Sequence, residues 1–285
     1  MKIAHLIMAY KNPDQIERMI RAMDHPDFYF FVHLDLKINY KSFEHLSKID
    51  RVIFIENRVL CNWGGFSFVK AIFSSLSEIL NRHKDFDFFN LMSGQDYPIK
   101  PINDIHNFYL QNPGKCFISY DVDPQRNWWG HAEKRAQLYH FTDFSFKGRY
   151  FLQKMLNKYF PVRKFPLKMK LYGSSNSSWW TISAECAAYV TDFMKCNPKL
   201  NDFMKFTWGS DEFLLATIIM NSSFSDKTVN NNFRFITWVD GMANPRILTA
   251  VDFESIKSSP DFFARKFDTN VDTAILDKLD RLINS

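Results

Sequence analysis

The first hundred residues alternate short apolar segments with amphipathic ones, and this alternation limits the possible folds more than any other feature. Apolar residues dominate Lys2 to Ala9, Phe28 to Leu34 and Arg51 to Ile55, which have the length of buried strands. Helical spacing predicts helices from Asn12 to about Met23 and over Phe66 to Arg82. Strands alternating with helices predict βαβ units, and therefore an α/β fold with a largely parallel sheet.

The segment from Phe86 to Met92 is apolar almost throughout, as expected of a central strand with helices on both faces. It runs into a turn-rich stretch, Ser93 to Pro98. In parallel sheets ligands bind beyond the carboxyl ends of the strands. The segments after Leu34, Ile55 and Met92 are therefore the first candidates for a binding site.

The second half has a weaker pattern. Residues 121 to 172 are rich in charged and aromatic side chains without a clear strand pattern, and the basic cluster from Arg163 to Lys170 is typical of a solvated face. Further along, the pattern predicts strands over Trp179–Ser183 and Asn230–Val239, and helices over Ala184–Cys196, Ser210–Met220 and Val271–Ile283. The absence of repeats and long linkers predicts a single domain over residues 1–285.

Composition excludes several classes of protein. Hydrophobic residues at 46% and charged residues at 24% describe a globular chain with a sizeable core. A net charge of +5 is too small to predict nucleic-acid binding, but it suits a small anionic substrate or a loose, peripheral association with an acidic membrane surface. Tryptophans beside Gly, Ser and Asn in predicted loops would suit stacking on a sugar ring.

Targeting signals and cysteine motifs are not evident. The four cysteines are widely spaced without a CxxC pair, which predicts neither a zinc site nor a disulfide framework. The apolar start of the chain is too short for a membrane span and lacks the cleavage site of a signal peptide. We therefore expect a cytoplasmic protein.

Ser210, Asp211 and Glu212 open a predicted apolar helix, and two interpretations of them remain open. Ser210 would serve as the N-cap and the two acids would offset the helix dipole. Alternatively, an acid at a helix start lies at a pocket rim and can take a proton from a hydroxyl. The two roles are compatible, because one acid can stabilise the helix while the other faces the site.

Other acidic residues give weaker signals. Asp35 directly follows a predicted strand, where it would either form a turn or bind a nucleotide base or ribose. The pairs Asp121/Asp123 and Asp85/Asp87 match the D-x-D pattern through which many sugar transferases hold manganese, but this pattern is frequent by chance.

Two late basic residues, Arg246 and Lys266, are candidates for binding phosphate. Lys266 lies between phenylalanines, which would anchor the backbone and aim the charge, and cations on a diphosphate can stabilise a departing nucleotide as a metal would. The sequence shows no paired histidine ligands, no G-x-S-x-G elbow and no glycine-rich phosphate loop. These absences argue against metallohydrolases, serine hydrolases, P-loop enzymes and Rossmann dehydrogenases.

Six segments in order resemble one family, the core-2/I-branching β-1,6-N-acetylglucosaminyltransferases with the peptide O-xylosyltransferases. Together they extend over nearly the whole chain, and it is their order that makes the set specific. The segments are Phe31–Asp35 (FVHLD), Trp63–Gly65, Ser93–Ile99 (SGQDYPI), Gly173–Ser183 (GSSNSSWWTIS), Ser210–Thr217 (SDEFLLAT) and Phe263–Asp268 (FARKFD).

The resemblance implies a GT-A-type fold, with a central, mostly parallel twisted sheet flanked by helices, and inverting transfer from a UDP-sugar without a bound metal or other cofactor. It implies that Glu212 is the catalytic base and that Arg246 and Lys266 bind the donor diphosphate. Asp35 and Asp96 are expected near the donor nucleotide. Residues 1–110 would form the nucleotide-sugar-binding half, and residues 111–285 the acceptor-binding and catalytic half.

On the acceptor side the resemblance points to Glu133, Arg135, Trp180 and Trp238. The aromatic residue that the family carries two positions after this last tryptophan is here Asp240, so the acceptor is left open, as is the donor sugar, N-acetylglucosamine or xylose. The animal enzymes have a membrane anchor, a stem and disulfide-forming cysteines. Their lack here points to a bacterial enzyme that builds a surface polysaccharide. The alternatives are a metal-dependent D-x-D transferase and a non-catalytic carbohydrate-binding protein on the same fold.

Overall fold

The computed structural model describes residues 1–121, 133–239, 241–242 and 244–284. In chain order its strands are β1 (Ile3–Ala9), β2 (Phe28–Leu34), β3 (Val52–Phe54), β4 (Phe88–Ser93), β5 (Asp96–Pro98), β6 (Cys116–Ile118), β7 (Thr181–Ser183), β8 (Thr228–Asn230), β9 (Arg234–Ile236) and β10 (Phe263–Arg265). The α-helices described along their whole length are α1 (Pro13–Ala22), α2 (Phe66–Arg82), α3 (Ile102–Leu110), α4 (Arg149–Tyr159), α5 (Ala184–Cys196), α6 (Pro198–Met204), α7 (Leu214–Met220), α8 (Phe253–Ser258) and α9 (Ala274–Ile283).

A seven-stranded sheet with strand order β3-β2-β1-β4-β7-β6-β8 forms the centre of the molecule. Strands β3, β2, β1 and β4 are parallel, β7 is antiparallel to both β4 and β6, and β8 is parallel to β6. A smaller sheet has the order β5-β10-β9. The predicted α/β class with a mostly parallel central sheet is confirmed.

Alternate residues of β1 pack into two different hydrophobic layers, which explains why this strand is buried along its whole length. Leu6 belongs to the layer that also contains residues of α2 and α5, whereas Ile7 belongs to the layer with residues of α1 and α9. A strand covered by helices on both faces needs apolar residues at every position rather than at alternate ones.

Two predicted elements are interrupted in the structure. The predicted helix over Ser210–Met220 consists of a 3-10 turn, Ser210–Glu212, and α7, separated by Phe213 at φ −147°. The predicted strand over Asn230–Val239 is divided between β8 and β9, which belong to different sheets, with Phe233 at φ 53° between them.

Helix α4 was not predicted from the sequence. It contains no buried residue, so its apolar side chains do not mark a face that packs on the core. Among the described residues, no helix combines the length and the hydrophobicity required to cross a membrane.

Candidate functional site

A cavity of about 880 Å³ opens beyond the carboxyl ends of β1, β2 and β4. This volume is within the range of small-molecule sites. Residues directly after β2 and at the end of β4 line it, as predicted from the strand pattern. The segment after β3 was also predicted to line a site. Its contribution begins only at Cys61, in the loop that leads into α2.

Two residues at the end of β2, His33 and Asp35, lie on the cavity wall. Asp35 is nearly buried, and one of its carboxylate oxygens accepts a hydrogen bond of 2.9 Å from the backbone N–H of Lys37. His33 Nε2 accepts a bond of 3.0 Å from the N–H of Val59, and burial lowers the pKa of His33 to about 4. His33 is therefore neutral near pH 7. The two hydrogen bonds, from Lys37 N and Val59 N, fix the turn after β2.

Glu212 also lines the cavity, at the end of the 3-10 turn. Gly209, at φ 62°, occupies the N-cap position of this turn. The backbone of Glu212 is fixed by a hydrogen bond of 3.1 Å that its carbonyl oxygen accepts from Ser174 N. The prediction that Ser210 caps the helix is wrong, because its hydroxyl is buried without a hydrogen-bond partner among the described residues. Glu212 faces the cavity because the left-handed glycine turns the chain before it.

The Glu212 carboxylate is paired with Arg135 inside the cavity, where both side chains are less than one-fifth exposed. The Arg135 guanidinium lies over the Trp208 ring at 4.4 Å, and Trp208 meets Trp63 edge-on at 5.4 Å between ring centroids. Such stacking restricts a guanidinium to one plane. Arg135 thus has a fixed orientation toward the carboxylate.

Gly64 makes this arrangement possible. It adopts φ +69°, and a Cβ atom there would lie only 2.2 Å from Trp208 Nε1. Its carbonyl oxygen also accepts a hydrogen bond of 2.8 Å from Gly209 N. The loop before α2 therefore supports Trp208 and, through the backbone, the turn that carries Glu212.

A second acid, Asp211, also lines the cavity. Its carboxylate accepts a bond of 2.7 Å from the Ser178 hydroxyl, and burial raises its pKa above the ordinary value. Asp211 and Glu212 thus have different partners, one a neutral hydroxyl and the other a cation.

Two cations, Arg265 and Lys266, line the cavity where β10 ends. Arg265 stacks over the Trp179 ring at 4.0 Å and lies 3.3 Å from the Asp96 carboxylate. The Lys266 pKa is lowered by burial and by neighbouring cations. A lysine whose charge is disfavoured by its surroundings in this way has a strong reason to accept an anionic ligand.

Arg246 is not among the residues that line the cavity. Its guanidinium pairs with Asp252, at 3.0 Å for one of the two nitrogens. The backbone nevertheless passes close by, since Leu248 N donates to Lys266 O at 2.8 Å and Pro245 lines the cavity. The structure therefore brings Lys266 to the site, but not the side chain of Arg246.

Three further predicted site residues lie off the cavity wall. Asp96 is fully buried, and its oxygens accept from Ser93 and face Arg265, so it supports the wall without reaching the interior. Trp180 is only 2% exposed and packs in the core, while its neighbour Trp179 lines the cavity, because successive side chains of an extended segment point in opposite directions. Glu133 is exposed and is not part of the lining.

Of the predicted acceptor-side residues, Arg135 and Trp238 do line the cavity. The Trp238 indole donates to Asn176 Oδ1 at 2.8 Å, which fixes a partly exposed ring at the rim. Asp240 lies outside the described residues.

The candidate metal-binding pairs are not assembled at the cavity in the described residues. Asp85 and Asp87 precede β4, at the edge of the sheet opposite to the cavity. Asp121 is not part of the lining, and Asp123 lies outside the described residues. His25, Asp27 and His106 form a three-residue cluster that could hold a metal ion, but His25 and Asp27 precede β2 at the same remote edge.

Sequence reasoning did not single out Trp63, Trp179, Trp208 or Arg265 as site residues, and it left Asp211 as one of two acids at a predicted helix start. A signal was present for some of them. Trp63 and Trp208 each precede a glycine in a loop, and Arg265 is the residue before Lys266. The sequence could not predict that the rings of Trp63 and Trp208, from two distant loops, pack against each other.

Comparisons with known proteins agree with the family resemblance. The family model described as Core-2/I-Branching enzyme matches residues 3–257. Xylosyltransferase sqv-6 of Caenorhabditis elegans is 24% identical over 290 residues, which cover 92% of this chain and 34% of that protein. Xylosyltransferase 1 of Rattus norvegicus is 26% identical over 290 residues, covering 93% and 33%. The chain spans about a third of the length of these curated relatives.

Among solved structures, the apo form of mouse xyloside xylosyltransferase 1 superposes with a TM-score of 0.43 at 10% identity, over 92% of this chain and 97% of that one. Galactosyltransferase LgtC, in complex with donor and acceptor sugar analogues, gives a TM-score of 0.48 at 10% identity, over 99% and 95%.

Proposed function

Because the chain belongs to the Core-2/I-Branching enzyme family, we propose that it is an inverting glycosyltransferase. It moves a sugar, N-acetylglucosamine or xylose, from a UDP-sugar to a hydroxyl of a glycan or glycoconjugate acceptor. The observation that carries the proposal is that Glu212 and Lys266, from distant parts of the chain, line one cavity. A carboxylate base and a cation at one site suit a reaction that needs proton removal and an anionic leaving group.

In the proposed reaction Glu212 accepts the proton of the acceptor hydroxyl while the hydroxyl oxygen attacks C1 of the donor sugar. The new bond to C1 forms as the bond from C1 to the diphosphate oxygen breaks, and UDP leaves from the opposite face with the electron pair. One displacement of this kind inverts the configuration at C1. Arg135 orients the Glu212 carboxylate toward the cavity. A correctly oriented base avoids the loss of reaction rate that a misplaced catalytic group causes.

Lys266 is proposed to neutralise the charge that develops on the departing diphosphate, with Arg265 adjacent in the same wall. Arg246 is proposed as a further ligand of the diphosphate. Its pairing with Asp252 means that this contact requires the ion pair to open. Protein cations in this position would replace a metal, so we propose that transfer is metal-independent and unaffected by EDTA.

The decisive variant is Glu212→Gln, which keeps the shape of the side chain and removes the base. We expect turnover to fall by roughly 10²–10⁴-fold while the affinity for UDP, measured by calorimetry, is retained. Asp211→Asn is the matched control, since Asp211 is the neighbouring acid of the same wall. Near-normal turnover of Glu212→Gln, together with a large loss of turnover in Asp211→Asn, would show that Asp211 is the base instead of Glu212.

Lys266→Ala tests the diphosphate site separately. Loss of a charge-assisted contact to phosphate should weaken UDP binding by about tenfold or more, whereas Lys115→Ala, on the exposed surface, should leave it unchanged. Equal affinities in both variants would contradict the assignment. Strict dependence of activity on added manganese would instead favour a D-x-D transferase.

A further inference from the structure

Helix α4 presents its apolar side chains to the outside of the molecule. Phe151, Tyr159 and Tyr150 are 71%, 64% and 62% exposed, and no residue of the helix is buried. Exposed aromatic side chains continue on both sides of the helix at Phe146 and Phe160. A contiguous exposed apolar surface of this kind marks an interaction site more often than chance.

The polar face of α4 is the one that packs on the protein. Gln153 accepts a hydrogen bond of 2.8 Å from Phe141 N, and Asn157, one turn later, both accepts from and donates to the backbone of Tyr139. Phe151 and Tyr159 lie on the opposite side, since they are two turns apart from each other and out of phase with Gln153. The usual orientation of an amphipathic surface helix is thus reversed.

The segment after the helix is fastened to the body rather than free. The Arg163 guanidinium stacks over the Phe203 ring at 3.8 Å and donates to the carbonyl oxygens of Phe206, at 2.7 Å, and Leu138, at 3.1 Å. The exposed surface is therefore held in place both along the helix and just after it.

Charge on this surface has one sign only. Residues 144 to 184 contain eight lysines and arginines, from Lys147 to Lys170, and no Asp or Glu. The whole chain has 36 basic and 31 acidic residues, so the remainder carries 28 basic and 31 acidic residues, a net charge of −3. The entire excess of positive charge lies in this segment, with Lys154 and Lys158 on α4 itself.

We propose that α4 and its flanking residues, Phe146 to Lys170, dock the protein on the surface of a membrane containing anionic lipids. Aromatic and aliphatic side chains on a helix lying in the membrane plane enter the headgroup region, and lysines around them bind the anionic lipids. A second copy that docked through the same surface would bring the same positive charge and would be repelled. The exposed apolar side chains and the positive charge of this surface thus both favour a lipid surface as its partner.

The docking surface is connected to the cavity. The Asp143 carboxylate, just before the surface, accepts from Ser67 N at 2.8 Å, and a Cβ at Gly65 would lie 2.1 Å from it. The loop that holds Trp63 and Gly64 in the cavity wall is therefore fixed directly to the base of the docking surface. A docked molecule holds this side of the cavity near the lipid headgroups.

The test is flotation of the full chain with phosphatidylcholine vesicles, with and without phosphatidylglycerol. We expect binding only to the anionic vesicles, and weakening with salt. Since each lysine near such a surface changes the partition coefficient by roughly fivefold, Lys154→Glu/Lys158→Glu should reduce it by at least about tenfold. The matched control, Lys84→Glu/Lys115→Glu, makes the same change in net charge on exposed residues elsewhere and should bind within about twofold of the unchanged chain.

Phe151→Ser/Tyr159→Ser should likewise reduce binding by about tenfold or more, and Val251→Ser, at a residue 86% exposed elsewhere, should not. Phe151→Ser alone serves if the double variant unfolds. Absence of binding to anionic vesicles would overturn the proposal, as would equal binding by the α4 variants and their controls. Self-association in light scattering that Phe151→Ser abolishes would overturn it in favour of a second copy as the occupant.

Discussion

At the scale of single residues, the position of Glu212 results from contacts that lie far away in sequence. Arg135 pairs with the carboxylate, Trp208 supports Arg135, and Gly64 leaves room for Trp208. The pattern of an acid at a helix start left two interpretations of Glu212 open, and it was the family resemblance that implied a catalytic base there. The support could not be predicted, because stacking between two loops depends on the complete fold.

Arg135→Ala tests whether this support matters for turnover. Without the guanidinium the carboxylate loses the ion pair that orients it, and misplacement of a catalytic group by about 1 Å can cost about 10²-fold. We expect kcat to fall by roughly ten- to a hundredfold with little change in UDP affinity. Arg82→Ala, which removes a guanidinium from the exposed pair with Glu56, is the matched control and should leave kcat unchanged.

Other single residues show the limits of sequence patterns. Trp179 and Trp180 are indistinguishable in sequence, and only the direction of the extended chain decides which one lines the cavity. Arg246 was predicted at the diphosphate site, but Asp252, six residues later, pairs with its side chain. The sequence does not show that Asp252 competes with a ligand for the Arg246 side chain, because the conformation of the turn between the two residues must be known first.

At the scale of elements, strands and helices buried on regular faces were predictable, and irregular ones were not. Phe28–Leu34, Phe66–Arg82 and Ala184–Cys196 agree with the sequence prediction residue for residue. Helix α4 escaped prediction because its apolar side chains face outward, so they give no pattern of core packing. The break at Phe213 lies next to Glu212, at the point where the site departs from regular helix geometry.

The loop before α2 allows a test at this scale, because its glycine is required both for conformation and for space. Gly64→Ala must strain the left-handed backbone, which costs about 1–2 kcal/mol, and must also displace the Trp208 ring. Gly114 has a similar φ of +73°, and a Cβ atom there would meet no atom of the described residues within 4 Å. Gly114→Ala therefore reports the backbone strain alone.

We expect both glycine variants to lose stability in urea unfolding, Gly64→Ala by about 1–3 kcal/mol more than Gly114→Ala. Only Gly64→Ala should also lose turnover. If the two variants are equally active and equally stable, Trp208 adapts to the added methyl group and the loop does not determine the geometry of the site.

At the scale of the whole molecule, two buried histidines link stability to pH. Burial lowers the pKa of His33 to about 4 and that of His5 to about 3, from an unfolded value of 6.5. Below pH 6.5 the unfolded chain takes up protons at these residues while the folded chain does not. Stability is therefore lost as the pH falls from about 6.5 toward the folded values, and it is fully present above about 6.5.

For His33 alone this shift predicts a loss of about 2 kcal/mol between about pH 7 and about pH 5. The measurement is urea unfolding at both pH values for the unchanged chain and for His33→Gln, whose amide oxygen can still accept from Val59 N. The variant should lose less stability over this interval. An identical loss would show that His33 does not titrate on unfolding.

The central sheet was predictable at this scale because alternating strands and helices permit few arrangements. The small sheet was not, because β10 pairs on one side with β5, a segment far earlier in the chain, and on the other with β9. Lys266 reaches the cavity through that pairing, so the sequence pattern could suggest phosphate binding by Lys266 but not which strands would bring it to the site.

The segment that carries Lys266 is also fastened to the beginning of the chain. Asp268 accepts hydrogen bonds from Lys11 at 2.6 Å and from Asn12 at 2.9 Å. The Gln95 side-chain amide donates to Phe267 O at 3.0 Å, while the Gln95 carbonyl oxygen accepts from Phe267 N at 2.9 Å. During synthesis on the ribosome, Glu212 emerges well before residues 263–268. A nascent chain therefore contains Glu212 and Arg135 before Arg265 and Lys266. The cavity wall is complete only when β10 pairs between β5 and β9, two strands that are synthesised earlier.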